Sequence, residues 1–267
     1  FGATWPFLLD KSNLMYIRKN RIALVTIPII IIILSLLGFF LVNKLFLLLF
    51  FAANMFHVTR QSFGVSKLYC KDVNENKFQE ISIYSIALIF FVIGFFRFYL
   101  PVIDEEKILS MNIVIGIMFS ILCIYYLIKY KYSDNFLVFL TGCLIFYPMC
   151  FVNNPVHAII MGVTMHYTQY VYLTYNICSL RQKSHSENNK EIISSRYNNY
   201  FLIVFLYAFI MAGFSLFGNV EDLYLQKLII IPIIGQMLHF YLDSQLWKFS
   251  EKHNRDNTLF YINKIID

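Results

Sequence analysis

Apolar residues run along this chain for the lengths a bilayer demands, and polar residues break the runs at regular intervals. Suitable runs fall at about 22–42, 43–60, 80–100, 108–129, 135–151, 155–179, 199–217 and 225–246. A hydrocarbon core is ~30 Å thick, and about 20 helical residues cross it. The pattern predicts an all-α, polytopic integral membrane bundle of about eight transmembrane helices, forming a single domain over residues 1–267. Residues 1–21, opening "FGATWPFLL", read as the end of a preceding span plus a loop, and 247–267 as a cytoplasmic tail. The closing stretch "TLFYINKIID" reads either as an interfacial segment or as a solvated tail. Because position 1 is Phe, a longer protein is expected to extend upstream.

Composition favours lipid over water as the solvent. Hydrophobic residues make up 58% of the chain, against roughly 45–50% in an ordinary soluble protein. Only 14% are charged, and the mean hydropathy is +0.61. A soluble domain has too much solvated shell to hide that apolar content.

The net charge of +6 does not point to nucleic acid, because its Lys and Arg sit in short clusters between the apolar runs. Stretches 10–21, 61–79, 129–134 and 180–198, with the tail, hold most of them. The alternate loops hold Asp104, Glu105, Glu106, Glu221 and Asp222. Excess Lys and Arg mark the cytoplasmic side. The expected location is a bacterial inner membrane, with the basic loops and the tail in the cytoplasm. The five cysteines form no CxxC pair and read as small buried hydrophobes rather than disulfides or zinc ligands.

Polar side chains inside spans are costly and concentrate at helix contacts and functional sites. Asn54, His57 and Gln61 lie at i, i+3, i+7 on one helical face. Gln236, His239 and Asp243 repeat that spacing near the end of the chain. In "MHYTQYVYLTYN", His166, Gln169, Tyr170 and Asn176 share a stripe. With the orientation above, these three spans run in one direction. Their histidines then fall within ~14 Å of one another along the normal at 1.5 Å per residue. His157, about 13.5 Å further out than His166 and rotated by roughly 180°, should face elsewhere.

Imidazoles on converging helices are ordinary ligands for iron, copper or zinc. His57, His166 and His239 are the candidate metal ligands, with Asp243, Gln61 and Gln169 as additional ligands or orienting groups. Tyr170, one turn from His166, is the candidate catalytic residue. Each histidine taken alone is equally compatible with an interhelical hydrogen bond. His185 and His253 lie in charged loops, where solvation is the default, and Arg60 and Arg97 sit where snorkelling explains them. No nucleotide-binding glycine loop, Ser-His-Asp order or cysteine nucleophile context is present.

The chain resembles the bacterial Brp/Blh-type carotene-cleaving dioxygenases, which are multi-span membrane proteins. The closing "LHFYLDSQLWKFS" is similar to their last-span pattern of His, a following Asp, then an aromatic and a basic residue. The order and separations of His57, His166 and His239 are similar to those of the family's later histidines. "FGATWPF" looks like the continuation of their early His-Gly-Ala stretch, which implies a further ligand upstream of Phe1. The chain departs from the family in carrying Tyr170 where a second histidine stands, in "FHVTRQSFGVSKLY", and in an Asp one residue sooner after His239. The resemblance implies a shared architecture and an iron site more than a shared substrate, which in the family is a carotenoid. The residues and the resemblance together predict a metal-dependent, non-haem iron oxygenase or oxidoreductase acting on a hydrophobic small molecule. The rival readings are a transporter or channel with a polar His/Gln/Asp path, and a scaffold whose histidines only tie helices together.

Overall fold

The computed structural model describes residues 2–8, 11–70, 72–100, 105–153, 155–188, 200–217 and 222–266. Among these, every regular element is helical. The fold divides into two compact units: residues 1–50 with 170–267, and residues 51–169.

In the first unit, α1 (Thr4–Leu8) and α2 (Lys11–Lys19) precede a π-helical turn, Ile22–Thr26, that runs into α3 (Ile27–Leu41). Pro28 lies in the first turn of α3, where its missing amide proton has no intrahelical partner to lose. Helix α4 (Asn43–Tyr69) follows after a single residue. The turn is tight because Gly38 admits Phe46; a Cβ there would lie 2.7 Å from the ring. The unit resumes with the later part of α8 (Pro155–Asn188), α9 (Tyr200–Leu216) and α10 (Ile230–Leu246), and ends on α11 (Phe260–Ile266). Helix α3 packs along α10, where Phe46, Ile230 and Ile233 form a core. Only Ser35 of α3 is buried. Ile29, Ile33, Leu34, Leu37 and Phe40 are exposed, an apolar flank that water would not tolerate at this extent.

The second unit contains the later part of α4, α5 (Val73–Gly94), α6 (Glu105–Tyr130), α7 (Asp134–Leu144) and the first half of α8. Asp72 caps α5 by accepting the Glu75 amide at 2.7 Å, which satisfies one of the helix's orphan donors. Met55, Val58, Phe90, Phe146 and Met149 form one core, and Ile83, Tyr126 and Phe139 a second. A polar network crosses four helices below that second core. Ser66 Oγ donates to Gln79 Oε1 at 2.5 Å, and Gln79 Nε2 donates to the Tyr126 oxygen at 2.9 Å. Tyr126 in turn donates to Glu75 Oε1, which also accepts Asn135 Nδ2 at 2.6 Å.

Among the described residues, four segments are long and apolar enough to cross a bilayer: Ile22–Leu41, Val73–Tyr99, Ser110–Tyr130 and Tyr224–Leu246. The eight expected spans are therefore only half met. Segments Asp134–Cys150 and Tyr200–Leu216 are apolar but short. Helices α4 and α8 are long, at 27 and 34 residues, and polar rows and basic ends dilute their hydropathy.

The chain's end is also different from expectation. Thr258 and Ile262 are buried, so the tail is packed against protein rather than solvated. His253 is half-buried, stacks on Tyr16 at 4.2 Å between centroids and 5° between planes, and pairs through Nε2 with Asn13 Oδ1 at 3.0 Å. Arg181 is buried under Phe7, 4.8 Å from the ring centroid, and donates to the Asn257 carbonyl and to Thr258 Oγ1. Arg97 is anchored on the Met149 carbonyl and Asn153 Oδ1 at 2.8 and 2.7 Å, more firmly than snorkelling requires. The cysteines form no disulfide; Cys143, Cys150 and Cys178 are buried as expected, whereas Cys70 and Cys123 are only half-buried.

Candidate metal-ligand histidines

Within the second unit, α4 presents His57 and α8 presents His166. Gly162 allows α8 its close approach: a Cβ at that position would lie 2.2 Å from the Ile145 carbonyl oxygen. The two imidazoles meet edge to face, with centroids 5.9 Å apart and planes at 87°. His166 is 2% exposed and His57 half-buried. Met55, Val58 and Val163 surround the pair with apolar packing. One turn before His57, Asn54 is buried, and its amide nitrogen and oxygen make no hydrogen bond among the described residues. A buried, unsatisfied amide costs about 1–3 kcal/mol, and positions that retain one call for a functional explanation.

Within the first unit, His239 belongs to a compact hydrogen-bonded group. Its Nδ1 lies 2.7 Å from Thr4 Oγ1 and 3.4 Å from Asp243 Oδ1. Asp243 Oδ1 also accepts the Tyr170 hydroxyl at 2.8 Å and Thr4 Oγ1 at 3.2 Å. Thr4, Tyr170, His239 and Asp243 are all at most 5% exposed, so water does not compete for these bonds. The His239 and Tyr170 rings meet at 5.5 Å and 85°. With Nδ1 committed to a hydroxyl and a carboxylate, Nε2 is the nitrogen suited to a ligand. Asp243 takes the orienting role, because the oxygen nearest the imidazole accepts two hydroxyls.

The remaining candidates are more dispersed. Gln61 is half-buried on the His57 face of α4. Gln169 points toward α7, its Nε2 lying 3.4 Å from Thr141 Oγ1. Asn176 donates to the Tyr172 carbonyl of its own helix. The buried stripe of α8 is instead His166, Tyr170, Thr174 and Ile177. His157 and His185 lie on α8, but their side chains fall outside the described residues, as do Lys71, Asp104, Asn154, Lys190, Arg196 and Glu221. Sequence reasoning missed Thr4. It lies 235 positions from His239, and a lone threonine in a five-residue helix gives no periodic signal.

No protein-family model, no curated protein and no solved structure matches the chain.

Proposed function

We propose that the chain is an integral membrane metalloprotein in which His57, His166 and His239 hold a transition-metal ion, iron by preference, with copper or zinc as alternatives. It would serve an oxygenase or related oxidoreductase acting on a lipid-soluble substrate. The observation that carries the proposal is the edge-to-face His57–His166 pair, two imidazoles from different helices at 5.9 Å. In the first unit, the Tyr170 ring lies against His239, whose Nδ1 is held beside Thr4 and Asp243, and that backing adds support.

The donors fit such an ion. Imidazole suits iron, copper and zinc, and the carboxylate–hydroxyl backing of His239 Nδ1 is the arrangement that orients a ligating histidine. The buried Asn54 amide offers a donor and an acceptor for a polar group beside His57. When bound, the ion supplies the redox chemistry. The residues themselves position it, hold Tyr170 and Asp243 in a fixed hydrogen bond, and exclude water.

The surroundings support a hydrophobic substrate. An apolar cleft of about 290 Å³ lies among α3, α4 and α10, lined by Leu34, Gly38, Phe46, Phe50 and Met237. Phe50 stacks on Phe240, the neighbour of His239, at 6.4 Å. A flat, hydrophobic molecule such as a carotenoid suits that lining and accords with the resemblance to the carotene-cleaving family. In the proposed topology the basic loops and the tail face the cytoplasm of a bacterial inner membrane.

Oxygen uptake by the iron-loaded, detergent-purified protein tests the proposal. Uptake that requires a polyene such as β-carotene, and that is lost in His57→Ala, is expected. Metal-independent ion flux in proteoliposomes, without oxygen uptake, would favour a transporter.

A further inference from the structure

The group around His239 also fixes which of its nitrogens carries the proton. Thr4 has one hydroxyl proton and three polar neighbours: His239 Nδ1 at 2.7 Å, Asp243 Oδ1 at 3.2 Å and the Tyr170 hydroxyl at 3.3 Å. Asp243 Oδ1 already accepts from Tyr170, and an ionised carboxylate accepts only. If the Thr4 proton points to His239, two bare acceptor pairs face the carboxylate: the Thr4 oxygen at 3.2 Å and His239 Nδ1 at 3.4 Å. If it points to Asp243, the Thr4 oxygen accepts from Nδ1–H, and both contacts to the carboxylate pair a donor with an acceptor, leaving only the longer Thr4–Tyr170 oxygen contact without a proton between. In a low-dielectric interior that difference is amplified.

We infer that Thr4 is a positioning residue: it accepts from His239 Nδ1–H and donates to Asp243, holding the imidazole in the tautomer whose Nε2 presents a lone pair. The inference deepens the metal proposal, since a ligating nitrogen must be unprotonated. It does not need the ion to be present. Tyr170 donates to the same carboxylate oxygen at 2.8 Å, so Asp243 Oδ1 accepts from both hydroxyls. Serine preserves the relay and valine removes it at nearly unchanged volume.

Nitrogen-15 spectra of the full chain, labelled at histidine and stripped of metal with a chelator, read the tautomer directly. Comparison with His239→Ala assigns the signal. The wild type and Thr4→Ser are expected to show protonated Nδ1 and bare Nε2. Thr4→Val is expected to raise the Nε2–H form about fivefold to tenfold, the effect of one buried hydrogen bond. If Thr4→Val does not fold, Asp243→Asn removes the carboxylate end of the relay and is expected to give the same shift. A wild-type His239 carrying its proton on Nε2, or a tautomer ratio unchanged in the folded variant, overturns the inference. The two readings fail separately: protonated Nδ1 in a protein that binds no metal upholds this inference while ending the metal proposal.

Discussion

His57 and His166 stand edge to face, their ring centroids 5.9 Å apart on two different helices. Polar rings are expensive in an apolar interior, and a mere interhelical tie would be served by one histidine and an amide. If the pair is a ligand set, replacing both residues with phenylalanine keeps the ring packing while removing the nitrogens. His57→Phe/His166→Phe is therefore expected to retain the wild-type thermal transition within a few degrees, yet to lose bound metal. Parallel scanning calorimetry and metal analysis check this.

In the proposed metal site, Asp243 would act on the ion through His239. Loss of an orienting partner behind a ligating histidine typically lowers metal affinity 10–100-fold. Asp243→Asn should fall in that range in competition titrations against a chelator, with the helical content unchanged.

The Tyr126–Glu75 hydrogen bond joins α5 and α6 inside a network that includes Gln79 and Asn135. Tyr126→Phe removes the hydroxyl that accepts from the buried Gln79 amide and donates to Glu75, at a cost of about 1–3 kcal/mol. The expected outcome is a lower unfolding midpoint in detergent, with metal content unaffected.

Gly162 tests the close approach of α8. A methyl group there would lie 2.2 Å from the Ile145 carbonyl oxygen, and overpacking of a tight contact costs roughly 1–3 kcal/mol. Gly162→Ala should lower stability and also weaken metal binding, because it displaces the helix that presents His166.

Lys131 ends α6 with φ of 65°, a left-handed conformation that costs a residue with a Cβ about 1 kcal/mol or more and suits glycine. Lys131→Gly keeps the backbone bond to the Leu127 carbonyl and should raise the unfolding midpoint slightly in a thermal melt.

Much of the fold was legible in the sequence, because periodicity and run length report helices directly. The apolar runs at 22–42, 80–100, 108–129 and 225–246 correspond closely to Ile22–Leu41, Val73–Tyr99, Ser110–Tyr130 and Tyr224–Leu246. The runs through α4 and α8 were harder, because the polar rows that suggest function are the same residues that weaken the hydropathy signal. At the site, the i, i+4 spacing of His239 and Asp243 was readable from the helix repeat, and their contact follows from it. Thr4 was not readable, since only the folded chain brings residues 4 and 239 together. His253 was misjudged for a related reason: its charged neighbours suggest solvation in sequence, yet the long-range partners Tyr16 and Asn13 half-bury it.

Elemental analysis of the detergent-purified chain, wild type beside His57→Ala, His166→Ala and His239→Ala, tests the central claim most directly. The account predicts close to one transition-metal ion per wild-type chain and a marked loss in each folded variant. Wild-type protein that stays metal-free after incubation with ferrous, cupric and zinc salts would contradict it.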